Sequence, residues 1–169
     1  MKIVTYGNPI LRKKAKSVER ISKEIKELAY EMLHIMRTGE TKGVGLAAPQ
    51  IGISSRIFVM EPEPESCYFL ANPEIINICD SEIDAEGCLS VPGVYAKIKR
   101  VQHIELRAIN IITGKKIIFD AMGFPARIIQ HECDHLDGVL FTDYIENWDD
   151  LDIHNPSIVP IQLKGRFNK

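Results

Sequence analysis

No CxxC pair occurs in this chain, no apolar run approaches the roughly 20 residues of a membrane span, and neither sign of charge dominates. The cysteines Cys67, Cys79, Cys88 and Cys133 therefore make neither a zinc ribbon nor a thioredoxin-type redox couple, although their number alone permits two disulfides. With 21 basic against 23 acidic side chains, a formal net charge of −2, there is no electrostatic footprint for wholesale nucleic-acid binding. The start MKIVTYGNPI has no positively charged segment followed by an apolar core, so a secretory signal is absent and a reducing, intracellular setting is expected. No internal repeat, low-complexity tract or interior linker divides the chain. At 169 residues and 45% hydrophobic content it suits one globular domain, which can bury roughly 70% of its unfolded surface without disulfide staples.

The residues that are present alternate between two periods. Between Ile21 and Arg37 the apolar positions Ile25, Leu28, Ala29, Met32, Leu33 and Met36 recur at three and four, which predicts a long amphipathic helix with Ser22 as N-cap and His34 off the stripe, in solvent. Ser54 to Met60, Cys67 to Ile78, Ile98 to Ile109 and Lys115 to Asp120 read as strands. In the third of these, Ile98, Arg100, Gln102, Ile104, Leu106 and Ala108 share one side. The run GVGLAAPQIG, Gly43 to Gly52, loosely imitates a dinucleotide-binding loop, but a helix and a charged turn precede it, Pro49 interrupts its second half, and no Lys-Ser/Thr completes a phosphate loop. A glycine-lined loop that lets a substrate backbone approach closely fits it better. After Tyr144 the character changes: Pro156 and Pro160 deny a long C-terminal helix, Ile158, Val159, Ile161 and Leu163 suggest a short extended segment, and Asp149, Asp150 and Asp152 suggest a solvated turn. The expectation is an α+β fold, antiparallel sheets packed around a late helix, with a catalytic domain over 1–148 and a tail over 149–169 that is extended or a short strand.

That late helix carries His131-Glu132-Cys133-Asp134-His135, an HExxH pentad. Residues four apart on a helix differ by about 40° around its axis, so the two imidazoles share a face and can share a metal, with Glu132 beside it to handle a water's proton. Pro125 suits the first helical turn, Gly138 the position just past the end, and Ile128 joins the histidine face. Cys133 points about 200° from His131 and should pack rather than bind metal. Two histidines do not complete a hydrolytic site, which normally has three protein ligands and an open position. A metzincin would need a histidine where Phe141 stands; a gluzincin glutamate would have to be Glu146, beyond the helix-ending glycine, and is a weak candidate. Upstream, Cys88 in Glu86-Gly87-Cys88-Leu89-Ser90, before the turn Pro92-Gly93, offers a thiolate that makes a tetrahedral-capable set with the two histidines. From these residues alone a metallopeptidase or a non-catalytic module holding a structural metal stays open, although no convincing fourth ligand completes a closed structural site.

Three segments in register, GVGLAAPQ (Gly43 to Gln50), EGCLS (Glu86 to Ser90) and QHECDHLDG (Gln130 to Gly138), strongly resemble the peptide deformylases. The likeness runs from Gly7-Asn8-Pro9-Ile10-Leu11-Arg12 to Tyr144. The loop Gly123-Phe124-Pro125-Ala126-Arg127 is more similar to the branch of some bacteria and of plant and animal organelles, which would need a targeting segment removed. The tail departs from the enteric-bacterial branch, whose members end in a long helix, which puts ribosome docking through such a helix in doubt.

The resemblance implies hydrolysis of the formyl amide at the N-formylmethionine end of nascent polypeptides in the cytoplasm, with transient ribosome contact and no membrane. It implies Cys88, His131 and His135 as ligands of one divalent ion, natively Fe2+, with Zn2+, Ni2+ or Co2+ as alternatives, and Glu132 as general base. It further implies Gln50 and the Leu89 N–H as oxyanion donors and the Gly45 backbone as a partner of the substrate chain. The plainer role for Gln50 is a hydrogen bond that braces its loop. Val44, Phe124 and Ile128, with the His131 ring, are candidates for the methionine pocket, and the first three read equally well as core. Glu86 resembles a brace for the cysteine loop, and Arg100, a charge on an inward strand face, is its candidate partner unless its apolar stem carries it to solvent.

Overall fold

The computed structural model describes residues 1–39 and 41–167. Helix α1 spans Lys23–Thr38; the Ser22 hydroxyl accepts from the Ile25 N–H at 3.4 Å, and Glu24 and Arg37 complement the helix dipole at opposite ends. It buries Ala29, Met32, Leu33 and Met36 on one stripe, while His34 is exposed.

Strands β1 (Gly45–Ala47), β2 (Ile57–Met60), β3 (Tyr68–Cys79), β6 (His103–Asn110) and β7 (Lys116–Met122) pair antiparallel in the order β1-β2-β3-β6-β7. Strands β4 (Glu82–Cys88), β5 (Val91–Arg100) and β8 (Leu151–Ile153) form a second antiparallel sheet, β4-β5-β8. The α+β arrangement expected from the periodicities is the one the chain adopts. Helix α2, Phe124–Asp137, buries Ala126, Ile129 and Leu136 against Phe58, Leu70, Ile104 and Leu106 of the larger sheet. A second core lies between α1 and that sheet, and a third is built on the smaller sheet around Val91, Val94, Ile98 and Phe141. Among the described residues no helix is long and apolar enough to cross a membrane.

Three expectations change. The run Ile98 to Ile109 is not one strand: it breaks after Arg100, and its halves belong to different sheets. The inward side is nevertheless the expected one, since Ile98, Arg100, Ile104, Leu106 and Ala108 are buried. A two-residue bend at Val101 and Gln102 preserves the period of two, so alternation alone does not reveal the corner. The turn lies at Leu89 and Ser90, and Pro92 and Gly93 open β5 instead of forming it. Finally, Ile161–Phe167 is a seven-residue helix, α3, where an extended segment was expected. Pro160 precedes it and accepts from the Leu163 and Lys164 N–H groups, so the proline starts this short helix rather than forbidding it. Asn168 and Lys169 of the tail lie outside the described residues.

Candidate active site

The edges of the two sheets meet over α2. β1 is the last strand of the larger sheet and β4 that of the smaller, and between them opens a cavity of about 230 Å³ lined by Gly45, Gln50, Cys88, Leu89, Ile128 and Glu132, among others. Val44, Phe124, Glu86, His131 and Arg127 also line it. Val44 and Phe124 are exposed at 41% and 51%, so they form its rim, whereas Ile128 is buried in its wall.

Cys88 and His131 line the cavity, and with His135 behind them their ligand atoms lie within 4.8 Å of one another, the one group among the described residues that could hold a metal ion. Cys88 Sγ is 3.2 Å from His135 Nε2. His131 turns its Nδ1 to Glu86 Oε2 at 3.0 Å, which leaves Nε2 for the cluster. A soft sulfur and two imidazole nitrogens, one of them oriented by a carboxylate behind it, match what a four-coordinate metal with one open position requires. The residues present fit such an ion. The two rings sit edge to face at 4.9 Å and titrate apart. Although burial opposes its charging, His131 is held well above the usual imidazole range by hydrogen bonds to Cys88 and Glu86. Burial, and then the neighbouring His131 charge, press His135 well below it.

Glu132 is 3% exposed, and its Oε2 has no hydrogen-bond partner. Burial pushes this carboxyl up to about 7. Its other oxygen lies against Gly45: a Cβ on that glycine would overlap Glu132 Oε1 and stand 2.9 Å from Ile128 Cγ2. Gln50 is 1% exposed and makes the bracing bond expected of it. Its Oε1 accepts from the Ala47 N–H at 2.8 Å, bracing the loop, and this fixes the amide so that Nε2 faces Cys88 Sγ at 3.5 Å and Ser90 Oγ at 3.4 Å.

Glu86 is the node behind the cluster. It receives Arg100 Nε at 2.7 Å and Nη2 at 3.0 Å, Arg127 Nη1 at 2.9 Å, and His131. Against the desolvation that opposes its ionisation, hydrogen bonds from His131 and Arg100 lower its pKa to about 2. Arg100 also donates to Asp134 at 2.7 Å and stacks on the Tyr144 ring, whose hydroxyl donates to Asp134 at 3.0 Å. Sequence reasoning missed Arg127, Asp134 and Tyr144. Arg127 sits one turn before His131 on the same helix face, and that spacing is the signal that points to it. Cys133 is partly buried against the core of the larger sheet, and burial pushes its thiol up to about 12.

Residues 1–150 match the family described as polypeptide deformylase. The chain belongs to that family. It is 46% identical over 142 residues to a peptide deformylase of Desulforudis audaxviator, covering 83% of this chain and 90% of that one. Among solved structures, the peptide deformylase of Thermotoga maritima superposes with a TM-score of 0.81 at 40% identity, covering 86% of this chain and 97% of that one. That of Ehrlichia chaffeensis superposes at 0.84 with 31% identity, covering 98% and 96%. Deformylase membership sets aside the general metallopeptidase and the non-catalytic metal module that the pentad alone left open, and makes the chain a metal-dependent hydrolase.

Proposed function

We propose that this deformylase removes the formyl group from N-formylmethionyl ends of nascent polypeptides through one divalent ion held by Cys88, His131 and His135. Bound there, such an ion supplies Lewis acidity and lowers the pKa of a water from about 15.7 toward about 7. Thiolate and imidazole donors accept iron, zinc, nickel or cobalt, and we take Fe2+ as the native ion.

The observation that carries the reading is Glu132, buried with its Oε2 unpartnered and lining the same cavity as Cys88 and His131 of the three-residue cluster. Glu132 takes the proton of the attacking water and passes it to the nitrogen of the leaving amine. Buried, with one oxygen free of hydrogen bonds, this carboxyl can take a proton and return it. As the formyl carbon becomes tetrahedral, the Gln50 amide and the Leu89 N–H meet the charge on its oxygen. The brace from Ala47 holds that amide in place beforehand, so little reorganisation is needed.

Gly45 lies on the free edge of β1, where an extended peptide can add as a further strand and be read by its backbone instead of its side chains. Val44, Phe124, Ile128 and the His131 ring receive the methionine side chain. Glu86, backed by Arg100, holds the tautomer and orientation of His131. The setting is the bacterial cytoplasm, with transient contact at the ribosome where formylated chains emerge.

Incubation of the metal-loaded protein with formyl-Met peptides and with their unformylated counterparts tests this. Formate release without chain cleavage is expected; cleavage of internal bonds, or no formate from any metal form, would overturn it.

A further inference from the structure

The outer face of the larger sheet carries a second constellation, unrelated to the cavity. Three adjacent strands bring Cys79, His103 and Asp120 together, Asp120 diagonal to His103 across the β6–β7 pair. Cys79 and His103 are cross-strand partners, with Sγ 3.5 Å from Nδ1, and His103 Nε2 lies 3.0 Å from Asp120 Oδ1. The carboxylate claims the Nε2 proton and thereby selects the tautomer whose Nδ1 lone pair faces the thiol. Thiol, imidazole and carboxylate follow one another as in a relay that activates a nucleophile.

The other cysteines of the chain lack this arrangement. Cys67 shares its thiol with the Glu61 carboxylate at 3.5 Å, and burial followed by that contact raises its pKa. Cys133 packs against the core, and Cys88 belongs to the ligand cluster. Cys79 is exposed.

Three chemistries compete for such a thiol. Acyl transfer needs donors for an oxyanion, and on the face of a paired sheet the backbone N–H groups are spent in the ladder. Metal binding needs converging donors, yet Cys79 and Asp120 meet opposite nitrogens of the ring, and among the described residues only Cys88, His131 and His135 converge. Thiol–disulfide exchange needs only an accessible sulfur, a proton acceptor and an open line of approach, and all three are present.

We propose that Cys79 is a thiol-exchange site for small-molecule disulfides, the oxidised form of low-molecular-weight thiols. The Cys79 proton moves to His103 Nδ1 while Sγ attacks one sulfur of the disulfide. The S–S bond breaks as the mixed disulfide forms, and the departing thiolate recovers the proton from the imidazolium, whose charge Asp120 balances. Atoms and electrons balance: one thiol and one disulfide give one mixed disulfide and one thiol.

The zinc-loaded protein is incubated with oxidised glutathione and its peptides are mapped by mass spectrometry over time. The first adduct is expected at Cys79. His103→Asn should slow it about tenfold, below the usual yield of a positioned base because the contact is solvated, and should leave Cys67 unaffected. Asp120→Asn should slow it less, and Cys79→Ser should remove this adduct while formate release stays at the wild-type rate. A first adduct at Cys67 or Cys133, or a Cys79 rate indifferent to both His103→Asn and Asp120→Asn in folded protein, would overturn the proposal.

Discussion

Single side chains of this site carry several duties, and substitution separates them. Glu132 has one oxygen against Gly45 and one without a partner, and it makes no contribution to the ligand set. Glu132→Gln keeps the shape and removes the proposed base, so turnover should fall by about 10²–10⁴-fold while metal content, measured by elemental analysis, stays unchanged. Glu86→Gln acts differently. Two buried guanidinium groups would face a neutral amide, and His131 would lose the carboxylate that orients it. Denaturant titration should show a loss of about 3–5 kcal/mol, and competition with a chelator should show about 10–100-fold weaker metal binding. Unchanged metal affinity in a destabilised protein would reduce Glu86 to a structural brace.

At the scale of elements, the site exists because two sheet edges converge on one helix face. Arg127 fastens that convergence: from α2 it reaches the Ile98 carbonyl on β5 at 2.9 Å and the Glu82 carbonyl on β4 at 3.1 Å. Gly45 sets how closely β1 can approach α2. Gly45→Ala should therefore fold, by circular dichroism, yet lose on the order of 10²-fold in kcat, because β1 must move away from Glu132. Both helices that position the site were legible, since Ser22, Pro125 and Gly138 punctuate them and their apolar positions keep the helical period. Gly138 takes a φ of +79°, the left-handed conformation that ends the helix, and a Cβ there would meet the Arg12 backbone at 2.8 Å. β4 was not legible as a full strand: only Glu86 is buried over Glu82–Glu86, so no alternation of apolar residues announces it. The corner after Arg100 stayed hidden because the burial period runs through it unbroken. The candidate ligand residues were readable because each stands in a short local motif, and Arg100 was readable as a charge on an inward strand face, whereas Arg127, Asp134 and Tyr144 join it only where separate elements meet.

For the whole molecule, the tail is bound to the body. Leu163 is wholly buried and Val159 is 4% exposed, both in the core of the smaller sheet, while Arg166 donates to the Thr142 and Ile145 carbonyls. The same core holds Val91 and Val94, which come directly after the cysteine motif. Leu163→Ala should thus cost about 2–5 kcal/mol in thermal or denaturant unfolding although it lies far from the ligands in sequence; a change near zero would show that the tail adds nothing to that core. Three cores and two sheets serve one arrangement, in which sulfur from the end of β4 and two nitrogens from α2 lie within 4.8 Å of one another, the set we propose holds a single ion with Glu132 as base. X-ray absorption on the zinc-loaded protein addresses that arrangement most directly. One sulfur at about 2.3 Å and two imidazole nitrogens at about 2.0–2.1 Å are predicted, with the sulfur shell lost in Cys88→Ser. A bound ion with no sulfur neighbour, or a sulfur shell that survives the substitution, would contradict the account.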